Sequence, residues 1–526
     1  LIEDKVVSGN WGGHLGQSNS MLINSSTWAL LITGKLIAPV DDKGVTQSLR
    51  SMVKRLGEPV VRAAVAQAMK ELGRQFVLGR DIQEASQRAR KYEARGYTYS
   101  YDMLGEAART DADALRYHRS YADAIAKLTP ACGHADIRQN PGISVKLSAL
   151  HARYEFSQRE RVMAELVPRA LSLAKAAKAA NMGFNIDAEE ADRLDLSLDV
   201  IEALLSDSEL AGWGGFGVVV QAFGQRAAHV LDWLYALSVR LDRKIMVRLV
   251  KGAYWDAEIK RAQVMGLAGF PVFTRKASSD VSYIACAKKL LSMTDRIYPQ
   301  FATHNAHSVS AIIELAEGRD CFEFQRLHGM GESLHEAVMR EAKTRCRVYA
   351  PVGAHQDLLA YLVRRLLENG ANSSFVNQIV DTRIQPEDIA RDPFAAVQAL
   401  GHQLPSRAIV RAADLYGKGR RNAQGWDITH PVEVEAIEQG RQAFRSVTWQ
   451  GGPVLAGKVD GSEVLSVYNP ARPSDVVGEV IQASAVDIET AISAAQQGFE
   501  SWSALSAEER AVCIRRVGEL FEHHVH

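Results

Sequence analysis

The chain has 526 residues, 47% of them hydrophobic, which predicts more than one domain and ample material for large buried cores. Lys plus Arg and Asp plus Glu each total 62, so the formal charge is zero and no broad field attracts the chain to nucleic acid or anionic lipid. The five cysteines are odd in number and include no CxxC pair, which argues against a disulfide framework or a zinc site and favours a reducing cytoplasm.

An apolar stretch at residues 28–40 is interrupted by Lys35, so we expect no membrane span and a soluble or at most peripheral protein. The sequence starts at Leu1 and stops at His526 inside a helix-like segment. We therefore expect both natural ends to lie beyond it.

Residues 1–96 are predicted to form a helical annex. Their apolar residues recur at intervals of three and four, which is the period of an amphipathic helix. Gly57 and Pro59 predict a break and then a new helix, whose first turn tolerates the missing N–H of the proline.

From residue 97 the pattern changes to short β-branched runs that alternate with amphipathic stretches, as in repeated βα units. The predicted strands are residues 97–104, 143–149, 183–188, 216–223, 244–250, 299–304, 322–327 and 346–352. Eight such units favour an α/β fold with a TIM-like (β/α)8 barrel, here residues 97–380, over an open sheet. Chemistry in such a barrel lies at the carboxyl ends of the strands.

The periodicity weakens after Gly370, and residues 381–460 are predicted to be a loop-rich connector. Residues 461–526 are predicted to be a partial α/β segment that begins a second unit.

Polar residues cluster at the predicted carboxyl ends of the strands. They are Glu106, Lys146, Asp187, Gln221, Arg248 through Trp255, Thr303, His304, Asn305, Gln325, Arg326 and Tyr349. Because an unpaired charge is costly to desolvate, we expect these groups to face ligands or one another. A structural layer of salt bridges at the barrel mouth remains the alternative.

Arg364 and Arg365 follow the eighth strand on a predicted helix, with Tyr361 on the same side. Guanidinium groups bind carboxylates bidentately, so the pair and Lys146 could hold one small carboxylate. A solvated helix face is the alternative for such a pair, and the apolar and aromatic setting favours the clamp.

Three motifs are predicted to carry no chemistry. GWGGFG at 212–217 has the letters of a dinucleotide-binding loop but precedes its strand, so it predicts a tight loop and no nicotinamide site. GKGRR at 417–421 is typical of a solvated linker. HHVH at 523–526 lacks the spaced partners of a metal site, and we predict no metal.

Long strings of this sequence resemble the proline dehydrogenase domain of the proline utilization A (PutA) family. They include SVKLSALHARY, NIDAEEADRLDLSLD, MVRLVKGAYWDAEIKRAQ, YPQFATHNAH, RVYAPVG and LLAYLVRRLLENGANSSFV, in order across residues 1–380. The resemblance implies a barrel that holds FAD noncovalently. It also implies oxidation of L-proline to Δ1-pyrroline-5-carboxylate by hydride transfer to flavin N5, with electrons passed to a membrane quinone.

The resemblance also implies roles for individual residues. Catalytic roles fall to Asp187, Arg248 and Tyr349. The substrate site comprises Lys146, Tyr254, Tyr349, Tyr361, Arg364 and Arg365, and Glu106 pairs with Arg364 as a gate. The flavin site comprises Asp187, Gln221, Arg248, Val250, Lys251, Gly252, Ala253, Tyr254, Trp255, Thr274, Arg275, Lys276, Thr303, His304, Asn305, Glu368, Ser374 and Phe375. No residue is an obvious base for the proline nitrogen, and water is one possibility.

Some members of this family carry a ribbon-helix-helix DNA-binding domain, but we recognise none here and predict no nucleic-acid partner. Residues 461–526 resemble the start of an aldehyde dehydrogenase, and we expect no activity from that part. Cys513 is predicted to be a core residue of an amphipathic helix. A nicotinamide-dependent aldehyde dehydrogenase and a non-catalytic fragment remain the alternative functions.

Overall fold

The computed structural model describes residues 75–354 and 390–524, together with residues 73, 361, 362, 364, 365 and 385. The first fifty residues of the predicted helical annex, with most of the next twenty-five, lie outside this range. The described residues divide into two compact units between Arg420 and Arg421.

Eight parallel strands close into a barrel in the order β1 to β8. They are β1 (Tyr97–Met103), β2 (Gly142–Val145), β3 (Gly183–Ile186), β4 (Phe216–Gln221), β5 (Ile245–Val250), β6 (Ile297–Ala302), β7 (Glu323–Leu327) and β8 (Arg345–Val352). Each predicted strand is present within a few residues of its predicted bounds, so the (β/α)8 prediction is confirmed. The sheet closes where β1 pairs with β8, from Tyr97 opposite Cys346 to Met103 opposite Val352.

Helices surround the strands. They are α1 (Ile82–Glu93), α2 (Asp111–Leu128), α3 (Leu147–Leu150), α4 (Arg159–Ala179), α5 (Leu194–Ser206), α6 (Ala227–Arg240), α7 (Trp255–Val264), α8 (Lys276–Leu291), α9 (Ala306–Ala316), α10 (Glu332–Glu341) and α11 (Pro393–Gln398). Their buried faces are apolar at helical spacing, as in α4, where Val162, Leu166 and Ala170 are fully buried. The predicted strand 143–149 stops at Val145 because the chain turns into α3 directly after Lys146.

Polar side chains fill the lower part of the barrel interior. Arg347 pairs with Glu323 at 2.6 Å, Glu323 accepts from Gln300 at 2.8 Å, and Gln300 accepts from Asn185 at 3.1 Å. Arg347 also donates to the backbone carbonyl of Asn140 at 3.0 Å. Each of these buried groups has a hydrogen-bond partner, so the network fills the amino end of the barrel interior without a ligand. The carboxyl end remains for ligands.

The GWGGFG segment is a loop that enters β4, as predicted. Gly212 has φ +72°, a left-handed conformation that favours glycine, and a Cβ on Gly215 would lie 2.4 Å from Ile137. No helix N-terminus follows these glycines directly, so they lack the geometry of a dinucleotide-binding turn.

The second unit contains α12 (Pro431–Arg441), β9 (Trp449–Gly451), β10 (Val464–Asn469), β11 (Arg472–Ile481), α13 (Ala485–Ala504) and α14 (Ala507–His523). Its three strands form one sheet in the order β10–β11–β9. Cys513 on α14 is exposed, so its prediction as a core residue is wrong for this unit. The reason is that apolar side chains on both long helices, such as Phe499 and Ile514, are largely exposed among the described residues.

Across the described residues, no helix combines the length and apolar character needed to cross a membrane. The same part of the chain has no group of three or more His, Cys, Asp or Glu side chains placed to hold a metal ion.

Candidate active site

Two cations and two carboxylates meet inside the barrel at the carboxyl ends of its strands. Lys146 Nζ lies 3.0 Å from both oxygens of Asp102 and 3.2 Å from Asp187 Oδ2. Arg248 donates to Asp187 Oδ1 at 3.0 Å. All four side chains are at most 9% exposed, and their formal charges cancel. A buried cluster of this kind is stable only while each charge keeps its partner.

Strand alternation explains why these residues meet. Every second side chain of a strand faces the barrel interior, which puts Ser100 and Asp102 of β1 on the inside with Ser144 of β2. Arg248 donates to the hydroxyl of Ser144 at 3.1 Å and to that of Ser100 at 3.3 Å. Its Nε is buried and has no hydrogen-bond partner among the described residues.

Tyr349 on β8 completes the cluster. Its hydroxyl donates to Asp187 Oδ2 at 2.7 Å and accepts from Lys146 Nζ at 3.2 Å. Burial, with the nearby Asp102 and Asp187, raises the pKa of Tyr349 well above its usual value, so it stays protonated. Burial alone would lower the pKa of Lys146, but the surrounding acidic groups outweigh it and hold that pKa above its usual value.

An ion pair stands beside this cluster. Arg364 donates to both oxygens of Glu106, at 2.7 and 2.8 Å, in a bidentate pair. The guanidinium carbon also lies 5.4 Å from the centre of the Tyr254 ring. Burial would raise the pKa of Glu106, but the bond to Arg364 overrides it and the pKa falls below its usual value. The pair is therefore ionised at neutral pH, and its role as a gate stays a prediction.

Arg365 is the more buried of the two adjacent arginines, at 7% exposure. Its guanidinium carbon lies 5.2 Å from the centre of the Tyr361 ring, which is itself buried. The alternative of a solvated helix face is wrong for Arg365, because a solvated guanidinium would not be covered in this way.

Lys251 and Lys276 share one carboxylate. Both ammonium groups pair with Asp280 on α8, Lys276 at 2.7 Å. Burial lowers the pKa of Lys251 and the neighbouring Asp280 partly offsets this effect. Both lysines were predicted, but Asp280 was missed, although it lies four residues after Lys276 on the same helix, a spacing at which ion pairs form. Its contact with Lys251 depends on the fold.

His304 has a defined tautomer. Its Nε2 accepts from the backbone N–H of Leu327 at 3.0 Å, and burial, with nearby cationic groups, lowers its pKa to about 3. The ring is therefore neutral at ordinary pH and carries its proton on Nδ1. His335 forms a hydrogen bond of 3.0 Å with the backbone carbonyl of Thr303, next to His304, and so helps to hold this segment in place.

Gln325 and Arg326 do not both face the barrel mouth. Neighbouring residues of a strand point to opposite faces, so Gln325 lies inside while Arg326 lies outside, 4.8 Å from the centre of the Tyr97 ring. The prediction that Arg326 belongs to the polar ring is therefore wrong. Gln325 is 1% exposed, and neither its Oε1 nor its Nε2 has a hydrogen-bond partner among the described residues.

The other predicted cofactor residues lie at the ends of β4 and β5, just after β5, and near the starts of α8 and α9. Val250 ends β5, Gly252 has φ +127°, and a Cβ there would lie 2.5 Å from the Phe223 ring. Trp255 donates to the carbonyl of Phe273 at 2.7 Å. Gln221 donates to the carbonyl of Glu189 at 2.8 Å. Asn305 caps α9. Three predicted residues, Glu368, Ser374 and Phe375, lie outside the described residues.

Glu258 is a buried carboxyl group that sequence reasoning missed. Its Oε1 accepts from the backbone N–H of Ala191 at 2.7 Å, which ties α7 to the loop after β3. Its Oε2 is buried without a hydrogen-bond partner among the described residues. Burial raises the pKa of Glu258 to about 7, and nearby Asp192 and Glu190 add to this effect.

This raised pKa predicts a pH-dependent stability. A carboxyl that binds its proton more tightly when folded stabilises the fold at low pH, and this contribution is lost as pH rises from about 4.5 to about 7. We expect Glu258→Gln to be more stable than the wild type at pH 8 by on the order of 1–3 kcal/mol, with a smaller difference at pH 5. Urea unfolding at both pH values checks this, and a difference that is the same at both would contradict it.

Comparison with known proteins identifies the family of this barrel. Residues 85–378, more than half of the chain, match the family model described as proline dehydrogenase. The chain belongs to the proline dehydrogenase family.

Individual relatives agree with this assignment. The bifunctional protein PutA of Klebsiella aerogenes is 48% identical over 99% of this chain and 41% of its own length. Proline dehydrogenase of Deinococcus radiodurans is 29% identical over 64% of this chain and 98% of its own length. A solved structure of a mutant of Bradyrhizobium japonicum proline utilization A (PutA) covers all of this chain with 43% identity and a TM-score of 0.75. The chain spans 49% of that protein and so corresponds to about half of such relatives.

Two further family models match outside the barrel. Residues 458–526 match the aldehyde dehydrogenase family, as their resemblance predicted. Residues 1–76 match a model described as the DNA-binding domain of proline dehydrogenase. The prediction of no nucleic-acid partner therefore conflicts with this match and is withdrawn. It rested on recognising no ribbon-helix-helix domain and on the zero charge of the whole chain, which hides the local excess in residues 1–76 of nine basic over six acidic side chains.

Proposed function

We propose that this chain binds FAD noncovalently over the carboxyl face of its barrel and oxidises L-proline to Δ1-pyrroline-5-carboxylate, with a quinone as the final electron acceptor. The observation that carries the proposal is a set of buried polar atoms, Arg248 Nε and both amide atoms of Gln325, that have no hydrogen-bond partner in the described part of this proline dehydrogenase family barrel. An unsatisfied buried donor or acceptor is costly, so these atoms favour a polar planar ligand.

The residues at the barrel mouth fit a flavin dinucleotide. The amide of Gln325 offers N–H donors beside a carbonyl acceptor, which suits the imide edge of a flavin ring. Lys251 and Lys276 supply positive charge beside the start of α8, whose N-cap Arg275 makes no side-chain capping bond. Backbone N–H groups at a helix start, together with two ammonium groups, suit a pyrophosphate.

Bound FAD would supply a two-electron acceptor for the hydride that leaves the carbon next to the proline nitrogen. Arg248, fixed by Asp187 and two serine hydroxyls, would place its remaining N–H beside the ring and stabilise negative charge there. Because the arginine is already held by Asp187, it needs no reorganisation when charge develops.

The substrate carboxylate would be held by Arg364, Arg365 and Lys146. Arg364 is paired with Glu106, so an incoming carboxylate would have to displace or share this partner, which gives the pair the character of a gate. The ring of the substrate would lie between Tyr254, Tyr349 and Tyr361, which would exclude water from it. Two-point anchoring of so small a ligand fixes the distance over which the hydride moves.

Gln325→Leu separates the ligand role of this residue from a structural role. Leucine has a similar size and needs no hydrogen bond, so we expect the apoprotein to gain on the order of 1–3 kcal/mol while FAD affinity falls about tenfold or more. Gln300→Leu is the matched control, because Gln300 bonds Asn185 and Glu323 and its loss should destabilise the apoprotein. Unchanged FAD affinity in Gln325→Leu would remove this residue from the proposed site.

The visible spectrum tests the proposed function directly. Purified chain supplied with FAD should retain a flavin spectrum after gel filtration, and that spectrum should bleach without oxygen when L-proline is added. A chain that stays colourless would favour the alternative of a non-catalytic fragment.

A further inference from the structure

Residues 403–412, which we name the connector strap, lie in the part of the chain predicted to be a loop-rich connector. The strap belongs to the same compact unit as the barrel, and Ala412 at its end is buried. Some of its contacts with the barrel fall on Thr274 and Arg275, which the family resemblance assigned to the cofactor.

One end of the strap is held by Thr274 and Arg275. Arg275 donates to the carbonyls of Leu404 at 3.0 Å and Pro405 at 3.1 Å, and a longer bond of 3.4 Å reaches that of Gln403. The backbone N–H of Ser406 donates to the hydroxyl of Thr274 at 2.8 Å. One guanidinium therefore binds three consecutive carbonyls of the strap.

The other end of the strap is held by α7 and by an apolar cluster. Gln263 Nε2 donates to the carbonyl of Val410 at 2.7 Å. Ile409 packs against the buried cluster of Phe223, Ile259 and Val272. Tyr254 and Trp255, to which the family resemblance gave roles at the substrate and the flavin, pack against the same cluster.

We propose that the connector strap is a wall of the cofactor site, which holds Thr274 and Arg275 in place and slows the release of bound FAD. This inference rests on the proposed function. Arg275 and Thr274 then act as positioning residues, because their polar groups bind the strap backbone. The strap in turn bridges the start of α8, where the cationic groups lie, and the end of α7, so the site is closed along one side.

Limited trypsin digestion tests the strap in the unaltered protein. Arg407 and Arg411 are exposed cleavage sites within it, and a strap that closes over FAD should open less often when FAD is bound. We expect FAD to slow cleavage after these two residues by about fivefold or more relative to the apoprotein. An equal cleavage rate with and without bound FAD would contradict the proposal.

A pair of substitutions tests the same point from the other direction. Ser406→Pro removes the N–H that binds Thr274, and Ile409→Ala removes the apolar anchor; together they should weaken FAD binding about tenfold or more in a fluorescence titration. The controls are Ser406→Ala, which keeps the N–H, and Leu404→Ala, which keeps the carbonyl bound by Arg275. They should bind FAD like the wild type.

The outcomes separate the two proposals. If the wild type binds FAD but the double variant binds it equally well, the strap is not a wall of the site and the proposed function still stands. If the wild type binds no FAD, the proposed function fails and the role of the strap fails with it.

Discussion

Replacing Arg365 with methionine is expected to raise the Michaelis constant for L-proline by on the order of 100-fold, while FAD stays bound. The loss of one charge-assisted contact to a carboxylate costs about 2–4 kcal/mol, which gives a change of that size. Arg365 is buried against Tyr361, so methionine can fill much of the same space. The measurement is steady-state oxidation of L-proline, with the flavin content determined by absorbance.

Arg159→Met is the matched control for this change. Arg159 pairs with Asp199 on the outer surface at 2.7 Å, and its side chain is 48% exposed. Removing an exposed pair should alter stability by less than about 1 kcal/mol and leave the Michaelis constant unchanged. An unchanged constant in Arg365→Met would contradict the carboxylate clamp.

Lys146→Met is expected to destabilise the protein by on the order of 3–5 kcal/mol. The substitution removes one of two cations from a buried cluster and leaves Asp102 and Asp187 with only Arg248 as a counter-charge. Unfolding by guanidinium chloride, followed by fluorescence, measures the loss. Lys146 thus has a structural role whether or not it also binds the substrate.

Asp102→Asn in the Lys146→Met background provides the decisive comparison. The second change removes the unpaired carboxylate and restores the charge balance, so the double variant should recover about half or more of the lost stability. Asp102→Asn alone should be destabilising, because Lys146 then keeps only Asp187 as an ionised partner. If the changes in the free energy of unfolding of the two single variants simply add in the double variant, the two groups are not coupled.

The sequence predicts the barrel well because its signal is local and repeated. Eight β-branched runs separated by amphipathic stretches leave few alternatives, and each strand lies within a few residues of its predicted place. β2 is the instructive exception, since Lys146 ends the strand and α3 begins at once. A strand pattern cannot reveal where a following helix starts when that helix itself opens with largely apolar residues, here Leu147 to Leu150.

The site was predicted less completely. Its ion pairs join side chains on different strands of the barrel, and the spacing of residues along the sequence does not reveal such pairs. Asp102 sits inside the predicted first strand, and a charge at such a position was a signal that a partner must exist. Arg326 follows Gln325 directly on β7, so the alternation of faces turns its side chain away from the barrel interior although it lies near the strand end. Glu258 and Asp280 lie on helices, where an acid is usually a surface residue, and only the fold brings Glu258 to the loop after β3 and Asp280 to Lys251.

The structural layer of salt bridges, which was the alternative to a ligand site, is present in part. The charges of Lys146 and Arg248 are paired with two carboxylates without a ligand, although Arg248 Nε has no hydrogen-bond partner among the described residues. The amide of Gln325, by contrast, is not satisfied among the described residues. The same strand ends thus combine ion pairs between protein side chains with polar groups that fit a ligand.

Anaerobic titration of the FAD-loaded chain with L-proline tests the central claim most directly. We predict loss of the visible flavin absorbance with L-proline, and a bleaching concentration on the order of 100-fold higher for Arg365→Met. Flavin absorbance that stays unchanged at saturating L-proline, in protein shown to hold FAD, would contradict the account.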